Sequence, residues 1–321
     1  MEHQLDQVIT AEIYQILIKA QLSNEMINMI KSSLNADSET GELFKWVHLT
    51  LMNCECVSGV SELALPGAIA MELSALAADI FDDIQDQDND ELPWRQIPVA
   101  NALNLAICLS RLGSEAISTL PDDGDGRLYR EVSQILNHMW ITASDGQFQE
   151  VLFETHEQVT LDQYFELVKR KSGSLTACAC KIGATLGGAS EALVLQLEQF
   201  GTNLGIMSQI RNDLNDFLNF ENKKDFVNSK KTLPYVYLLN ILKGNKAEQF
   251  KELTQIKANG LNTFGKQEQD YLTQLSIDEG VVHYCRVMYE LFREKSMGII
   301  QAIPVPEKSK EKMIKLVEEN V

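Results

Sequence analysis

Apolar residues recur at helical spacing along most of this 321-residue chain, and few breaks interrupt them. Apolar positions three and four residues apart line one face of an α-helix, whereas a half-buried strand requires strict alternation. Glycine and proline, which break helices, number only 18 and 7. The stretches with helical spacing are 7–34, 42–57, 63–88, 98–118, 127–152, 161–187, 190–220, 232–243, 246–256, 267–300 and 307–319. Because no internal repeat or linker separates them, we predict an all-α fold in which residues 1–321 form a single domain.

The charge balance narrows the classes of partner. The chain has 28 lysine and arginine residues against 46 aspartate and glutamate residues, for a net charge of −18. Nucleic acids and anionic membranes attract basic surfaces, so we expect neither as a main partner. An acidic protein that handles phosphate groups needs metal cations to offset the electrostatic repulsion.

The cysteines and the N-terminal segment indicate a protein of the cytoplasm. Four of the six cysteines form two C-x-C pairs, Cys54 with Cys56 and Cys178 with Cys180, without a histidine cluster nearby. This spacing is a poor zinc signal and suits reduced, buried thiols. Residues 1–15 are acidic and amphipathic, unlike a signal peptide, and we expect no transmembrane segment.

An acidic run follows the most apolar of the helical stretches. The sequence GAIAMELSALAADIF, which is small and apolar on nearly every face, leads directly into Asp82, Asp83 and Asp86. A helix that is apolar all round is buried, so these carboxylates lie at the end of a core helix. Asp82 and Asp86 share a face, and a divalent cation relieves the repulsion between them. Acidic runs are usually solvated surface, but hard oxygen ligands in this position favour Mg²⁺.

A second cluster repeats that arrangement 130 residues later. Asn212, Asp213 and Asp216 have the spacing of the first three acids, and they also follow an apolar stretch, FGTNLGIM. One acidic run at the end of a helix is commonly structural. Two runs with the same spacing, each behind an apolar helix, indicate facing walls of one metal-binding cavity.

Lysines complete the pattern. Lys171 precedes a Ser-Gly pair in a helical stretch, and Lys230 and Lys231 stand beside Thr232. A diphosphate that departs during a reaction needs metal ions and ammonium donors to neutralise its charge. Each lysine alone is typical of solvated surface, but together with two acidic clusters they indicate a diphosphate site.

The two acidic clusters resemble the motifs of the trans-isoprenyl diphosphate synthase superfamily. Its first motif, D-D-x-x-D, matches residues 82–86. Its second motif, which has a glutamine just upstream, matches residues 209–216, with Asn212 in place of the leading aspartate. The resemblance extends over roughly residues 40 to 300.

Two lysine-bearing stretches extend this resemblance. The K-T/S motif of the family matches Lys171 and Ser172. Its D-L-x-x-x-K-x-T-L-P stretch matches residues 225–234, which places Lys230 at the lysine, and a Gly-Gln pair at 146–147 also fits. The motifs occur in the family's order along the chain.

The resemblance implies a fold, a cofactor and a mechanism. In an isoprenoid synthase fold, Mg²⁺ and lysines ionise an allylic prenyl diphosphate, and a nucleophile captures the resulting cation. The residues that it assigns to catalysis are Asp82, Asp83, Asp86, Lys171 and Lys230. The Mg²⁺ ligands that it implies are Asp82, Asp86 and Asp213, with Asp83 and Asp216 in support, and the donor is held by Lys171, Lys230, Gln209 and Asn212. Enzymes of this fold commonly dimerise, so a homodimer is expected.

The acceptor side departs from the family's pattern. Members that elongate prenyl chains bind isopentenyl diphosphate through a G-K-R-x-R motif, and alignment places Leu43, Phe44 and Trp46 at its three cationic positions. A histidine or glutamine ligand of the family is Ala75 here, and of two arginines that follow the first motif only Arg95 is kept. These losses imply an acceptor with less charge than isopentenyl diphosphate.

Three stretches resemble one branch of the family in particular. DDIQDQDNDELPW, ALNLAICLSRLG and KSGSLTACACKIGATLGG are similar to the competence-pheromone prenyltransferases of the ComQ type. That branch transfers a farnesyl or geranyl group to a tryptophan of a peptide precursor. The resemblance implies a bacterial quorum-sensing enzyme with a short Trp-containing peptide as partner. Ala77 and Ala78 leave room for a long donor such as farnesyl diphosphate, although small residues also simply permit close helix packing.

Three other functions stay open on the sequence. The first is ordinary synthesis of farnesyl or geranylgeranyl diphosphate with isopentenyl diphosphate. The second is a class I terpene cyclase, whose N-D-x-x-S/T-x-x-x-E motif is not met at Asp216 and Phe220. The third is an inactive regulatory subunit, which the substitution at Asn212 keeps open. The sequence names no proton-accepting base other than the leaving diphosphate itself.

Overall fold

The computed structural model describes residues 2–39, 43–121, 124–219, 230–254 and 265–319. Helices make up most of these ranges, and no strand occurs within them, so the predicted all-α fold is confirmed. The α-helices are α1 Glu2–Lys19, α2 Asn24–Glu39, α3 Lys45–Ser58, α4 Leu65–Asp86, α5 Val99–Ile117, α6 Arg127–Glu154, α7 Leu161–Val168, α8 Ser174–Leu186, α9 Glu191–Leu218, α10 Leu233–Ile241, α11 Asn245–Thr254, α12 Lys266–Asp278, α13 Val281–Ala302 and α14 Glu307–Glu319. The shorter elements are 3-10 helices at Glu62–Ala64 and Pro93–Arg95 and a π-helical turn at Lys169–Gly173.

Some predicted stretches are interrupted where the backbone leaves the α-helical conformation. The stretch 7–34 divides into α1 and α2 near Gln21, which has a φ of 52°. The stretch 267–300 divides into α12 and α13 at Gly280, which has a φ of 66°. A third stretch contains the π-helical turn Lys169–Gly173. Apolar spacing continues across each interruption, so periodicity alone does not locate it.

The chain divides into two compact units. The first comprises Met1–Trp140, Leu175–Gly201 and Ile303–Glu311. The second comprises Ile141–Ser174, Thr202–Ala302 and Lys312–Val321. That the whole chain acts as one domain stays a prediction.

Helix α4 is the centre of the first unit. Every residue from Gly67 to Ala77 is buried, as the all-round apolar sequence predicts. Helix α5 approaches it so closely that a Cβ at Gly113 would lie 2.9 Å from the carbonyl oxygen of Ala70. Among the described residues, the stretch Glu62–Asp86 is long enough and apolar enough to cross a membrane. It contains an 18-residue window with a mean hydropathy of 1.5. Because 72% of that window is buried inside the protein, it has the character of a core helix.

Aromatic contacts hold α7, α10 and α13 together in the second unit. A capping box between Thr160 and Gln163 begins α7. Phe165 of α7 packs on Phe292 of α13, with ring centroids 5.6 Å apart. Other rings stack between α10 and α13, where Tyr237 and Tyr284 lie 4.1 Å apart. These contacts build the frame that surrounds the second acidic motif.

Candidate active site

The first acidic motif occupies the last turn of α4. Asp82 and Asp86 are half-buried, and they present carboxylate oxygens within 4.8 Å of each other. Helical geometry explains the pairing, because residues four apart lie on one face. Two hard oxygen donors at this separation suit a divalent cation such as Mg²⁺.

Asp83 faces the protein instead. It is 8% exposed, and its Oδ1 accepts a hydrogen bond from the Asn89 side chain at 2.7 Å. Its Oδ2 accepts the indole N–H of Trp94, also at 2.7 Å. Burial raises the pKa of Asp83 to about 6, and the two hydrogen bonds offset part of that rise. Asp83 therefore ties the segment after α4 back onto the helix end.

Arg95, the arginine kept from the family's pair, follows Trp94 directly. Its guanidinium donates to Asp90 at 2.8 Å, and its side chain is 13% exposed. The hydrogen bond from Trp94 to Asp83 therefore also helps to fix the backbone position of the neighbouring residue, Arg95.

The second acidic motif lies near the end of α9. Asn212 is exposed, Asp216 is half-buried, and Asp213 is 3% exposed. Oδ1 of Asp213 accepts from the Gln209 side-chain amide at 2.7 Å. Its Oδ2 accepts from the Tyr164 hydroxyl at 2.6 Å and from the backbone N–H of Leu233 at 2.7 Å.

The surroundings of Asp213 affect its protonation. Burial raises its pKa to about 6, and the donors Tyr164, Gln209 and Leu233 offset part of the rise. The positive charge of Lys230 acts in the same direction as those donors, which places that lysine within electrostatic reach of the carboxylate. The second motif and the stretch that contains Lys230 are therefore close in space.

The two adjacent lysines before α10 have different surroundings. Lys230 is half-buried. Lys231 is 8% exposed, with its ammonium 3.4 Å from the backbone oxygen of Glu154 and 4.5 Å from the ring centroid of Tyr235. Burial lowers the pKa of Lys231 to about 8. Asp225, at the start of the matched stretch 225–234, lies outside the described residues.

Lys171 lies in the π-helical turn between α7 and α8. Its ammonium donates to Oε2 of Glu150 on α6, and both side chains are mostly buried. A Cβ at Gly146 would lie 2.7 Å from the backbone nitrogen of Lys171, so only glycine allows α6 to pass this close. Isolated π-helical turns are often found at functional sites.

Ser172 connects the π-helical turn to the second acidic motif. Its hydroxyl donates to Oε1 of Gln209 at 2.6 Å, and the amide of Gln209 donates in turn to Asp213. The structure therefore brings Lys171, Gln209, Asp213 and Lys230 into one connected region of the second unit. Asp82, Asp83 and Asp86 form a separate group in the first unit, and their placement opposite the second motif stays a prediction.

Sequence reasoning missed three side chains that hold these groups: Glu150, Tyr164 and Trp94. Trp94 ends DDIQDQDNDELPW, one of the stretches that carry the resemblance to the ComQ branch. Glu150 stands four residues after Gly146, so its place on the same helix face was available from spacing. Tyr164 had no sequence signal, because it is 49 residues away from the aspartate that it contacts.

The N-terminus of α3 is where the family's acceptor motif aligns. Phe44 precedes the helix in the left-handed conformation, with a φ of 58°, and is buried. Oε2 of Glu72, which is 2% exposed, accepts the backbone N–H groups of Trp46 and Val47 at 3.0 Å each. Two of the N–H groups at this helix end are thus satisfied by an internal carboxylate.

Known proteins share this fold and are similar to this chain in sequence. The family model described as "Polyprenyl synthetase" matches residues 9–268. The chain is 29% identical over 233 residues to the tryptophan prenyltransferase ComQ of Bacillus spizizenii, which covers 73% of this chain and 77% of that protein. It is 26% identical over 280 residues to the geranylgeranyl diphosphate synthase of Sulfolobus acidocaldarius, covering 82% of each. A crystal structure of a polyprenyl synthetase from Streptomyces coelicolor A3(2) has a TM-score of 0.82 at 22% identity, covering 98% of this chain and 96% of that one. The chain belongs to the polyprenyl synthetase family, which confirms the predicted isoprenoid synthase fold and the predicted class of prenyltransferase.

Proposed function

We propose that this enzyme ionises an allylic prenyl diphosphate with Mg²⁺ and transfers the prenyl group to a tryptophan of a short peptide. The choice of acceptor rests on the charge of the residues at the N-terminus of α3. Glu72 places a buried carboxylate there, and Leu43, Phe44 and Trp46 supply no positive charge. Lys45 is the one basic residue of this stretch, so an anionic acceptor such as isopentenyl diphosphate would meet like charge with a single cation to offset it.

The carboxylates of the first motif fit the metal that the family implies. Asp82 and Asp86 offer paired, half-buried oxygens, and Mg²⁺ is commonly held by one or two carboxylates together with substrate phosphates. We assign Asp82 and Asp86 direct contact with the ion. From the second motif, Asp216 and the neutral oxygen of Asn212 support the metal sites. When bound, Mg²⁺ neutralises the charge that develops on the departing diphosphate.

The lysines supply the remaining positive charge. Lys171 and Lys230 bind the donor diphosphate, and Glu150 orients the ammonium of Lys171 through their ion pair. The C–O bond of the donor breaks, and both electrons leave with the diphosphate. The indole ring attacks the allylic cation through its C3 carbon and forms a C–C bond. This attack leaves an iminium between C2 and the indole nitrogen. Either the indole nitrogen gives its proton to the diphosphate, or the acceptor's own backbone nitrogen bonds to C2, closes a ring and gives its proton to the diphosphate.

The similarity to ComQ supports tryptophan as the acceptor. ComQ of Bacillus spizizenii is a tryptophan prenyltransferase, and three sequence stretches of this chain resemble that branch. A farnesyl donor fits the small residues Ala77 and Ala78 on α4. The partner is therefore a short peptide with a tryptophan, as in bacterial quorum sensing, and the enzyme acts in the cytoplasm, where prenyl diphosphates and precursor peptides are both made.

Product analysis tests this function. The protein is incubated with farnesyl diphosphate and Mg²⁺ alone, with isopentenyl diphosphate, with a Trp-containing peptide, and with the same peptide carrying phenylalanine instead. Mass spectrometry should find one farnesyl group on the tryptophan peptide only. Asp82→Asn should lower turnover by about 100-fold or more, whereas Asp270→Asn, in an exposed ion pair on α12, should leave it unchanged.

The rival functions predict other products. Efficient formation of a longer prenyl diphosphate would identify an ordinary chain-elongating synthase, which the similarity to a geranylgeranyl diphosphate synthase favours. Hydrocarbon or alcohol products without any acceptor would identify a cyclase. No diphosphate release under any condition would identify an inactive subunit.

We also propose that the enzyme is a homodimer. Val99, Leu103 and Ile107 are four residues apart on α5 and are 54%, 38% and 52% exposed, which leaves an apolar stripe on the surface. Light scattering should give twice the 36.1 kDa mass of the chain. Leu103→Lys should shift the mass toward the monomer, and Ile277→Lys on α12 should not. A wild-type monomer would contradict the proposal.

A further inference from the structure

The carboxylate of Asp213 is largely occupied by donors from its own chain. A carboxylate has about four lone-pair positions, two on each oxygen. Both positions of Oδ2 are taken, by the hydroxyl of Tyr164 and the backbone N–H of Leu233. Oδ1 accepts from Gln209. At 3% exposure, Asp213 has little surface left for a ligand.

One of these donors is the start of a helix. Leu233 is the first residue of α10, and Thr232, which precedes it, makes no side-chain capping hydrogen bond. The first N–H groups of a helix have no partner within the helix itself. Asp213 accepts the first of them from a different helix, so it fixes the point where α10 begins. Lys230 lies three residues before that point.

The first acidic motif has the same division of labour. Asp83, its second aspartate, is buried and accepts hydrogen bonds from Asn89 and Trp94 in the segment that follows. Asp82 and Asp86 are half-buried and share a face of the last helix turn. In each motif the aspartate at the second position holds a neighbouring chain segment, and the flanking residues are the more exposed ones.

We propose that Asp213 is a positioning residue that holds Lys230 in place through the N-terminus of α10, and that it is not a ligand of Mg²⁺. The proposal rests on the proposed role of Lys230 in binding the donor diphosphate. It departs from the sequence-based prediction, which gave Asp213 direct contact with the ion. The physical reason is that three donors already occupy most of the lone-pair positions of this carboxylate, and its burial leaves little surface through which a metal ion could reach the remaining position.

The two roles predict different losses. If Asp213 holds α10, its replacement loosens the segment 230–236 and weakens diphosphate binding, and the dependence on Mg²⁺ changes little. If it binds the metal, the Mg²⁺ concentration for half-maximal activity rises steeply, and the segment keeps its order. Tyr164 is buried and donates its hydroxyl to Oδ2 of Asp213, so Tyr164→Phe removes one of the contacts that hold this carboxylate and leaves every carboxylate in place.

Hydrogen exchange followed by mass spectrometry measures the order of the segment 230–236 without any substrate. In Asp213→Asn the peptide 230–236 should exchange about 10-fold or more faster than in the wild type, and Tyr164→Phe should show a smaller rise. Tyr271→Phe is the matched control, because its exposed hydroxyl donates to Gln249 on α11. The exchange of 230–236 should be unchanged in that variant.

Calorimetry and steady-state kinetics measure diphosphate binding and the requirement for Mg²⁺. Calorimetry with Mg²⁺ and inorganic diphosphate should show affinity lower by about 10-fold in Asp213→Asn and by less in Tyr164→Phe. The KM for farnesyl diphosphate should rise by a similar factor, while the Mg²⁺ concentration for half-maximal activity stays within about twofold of the wild-type value. Asp216→Asn should instead raise the requirement for Mg²⁺.

Two results would overturn the proposal. One is a rise of about 10-fold or more in the Mg²⁺ requirement of Asp213→Asn, with unchanged exchange at 230–236. The other is wild-type exchange and wild-type diphosphate affinity in Tyr164→Phe, which decides the matter even if Asp213→Asn does not fold. A wild-type enzyme that releases no diphosphate from any prenyl donor would refute the proposed function, and the exchange data would still test the hold on α10.

Discussion

The indole N–H of Trp94 donates a hydrogen bond to Oδ2 of Asp83 at 2.7 Å. Trp94 is 3% exposed and stands 11 residues after the aspartate, on the short 3-10 helix that follows the first motif. The second aspartate of the motif therefore serves to hold the next chain segment, whereas Asp82 and Asp86 are more exposed than it is. A buried carboxylate needs such donors, because burial without hydrogen bonds is costly.

Trp94→Phe should destabilise the protein by about 1–3 kcal/mol, since it leaves a buried carboxylate oxygen without its donor. The matched control is Trp140→Phe. The indole N–H of Trp140 is buried and has no hydrogen-bond partner among the described residues, so the same change removes no bond there. Urea unfolding monitored by circular dichroism measures both. Equal losses in the two variants would mean that ring size, and not the hydrogen bond, sets the cost.

The raised pKa of Asp83 predicts a pH dependence of stability. Burial raises this pKa from 3.8 to about 6, so the folded protein holds the proton more tightly than the unfolded chain does. The contribution of Asp83 is therefore most favourable below about pH 4, falls as the pH rises to about 6, and is constant above that. In metal-free buffer, the stability of the wild type relative to Asp83→Asn should fall by about 1–3 kcal/mol between pH 4 and pH 7. Asp270→Asn should show no such difference, and a difference that grows with pH for Asp83→Asn would contradict the prediction.

Lys171→Met should lower kcat/KM by about 100-fold or more, because it removes a cation from the departing diphosphate. It should also cost about 2–4 kcal/mol of stability, since Glu150 is left buried without its partner. Lys181→Met is the control, because Lys181 pairs with Glu198 at 2.9 Å and both side chains are more exposed. We expect that variant to keep its activity and to lose under about 1 kcal/mol. Steady-state kinetics and urea unfolding measure both quantities, and an equal loss of activity in the control would assign the effect to folding.

Glu72→Ala should destabilise the protein by about 2–3 kcal/mol, because two backbone N–H groups at the start of α3 lose their acceptor. Glu72→Gln keeps an acceptor oxygen and should cost about 1 kcal/mol. Thermal or urea unfolding measures the stability of the two variants. The control is Glu62→Ala, at an exposed position on the 3-10 helix that precedes α4. If Glu72→Ala unfolds like the control, the carboxylate does not stabilise α3, and the charge argument about the acceptor weakens with it.

Much of the fold followed from sequence because helices are local. The all-round apolar character of residues 67–81 predicted a buried helix, and α4 is buried from Gly67 to Ala77. The spacing of Asp82 and Asp86 placed them on one face for the same reason. The breaks near Gln21 and Gly280 were not predicted, because apolar spacing runs on across a residue that takes a left-handed conformation.

The sequence by itself determined the helical content, the positions of the two acidic motifs and the lysines, and the absence of a cationic acceptor motif near α3. Only the tertiary structure decided which aspartates are buried against the protein and which are more exposed. The donors to Asp213 come from residues 49 and 20 positions away, Tyr164 and Leu233, and Glu150 reaches Lys171 across 21 positions. Such contacts have no periodic signature, because they depend on how separate helices pack, whereas helical spacing is set by neighbours three and four residues apart.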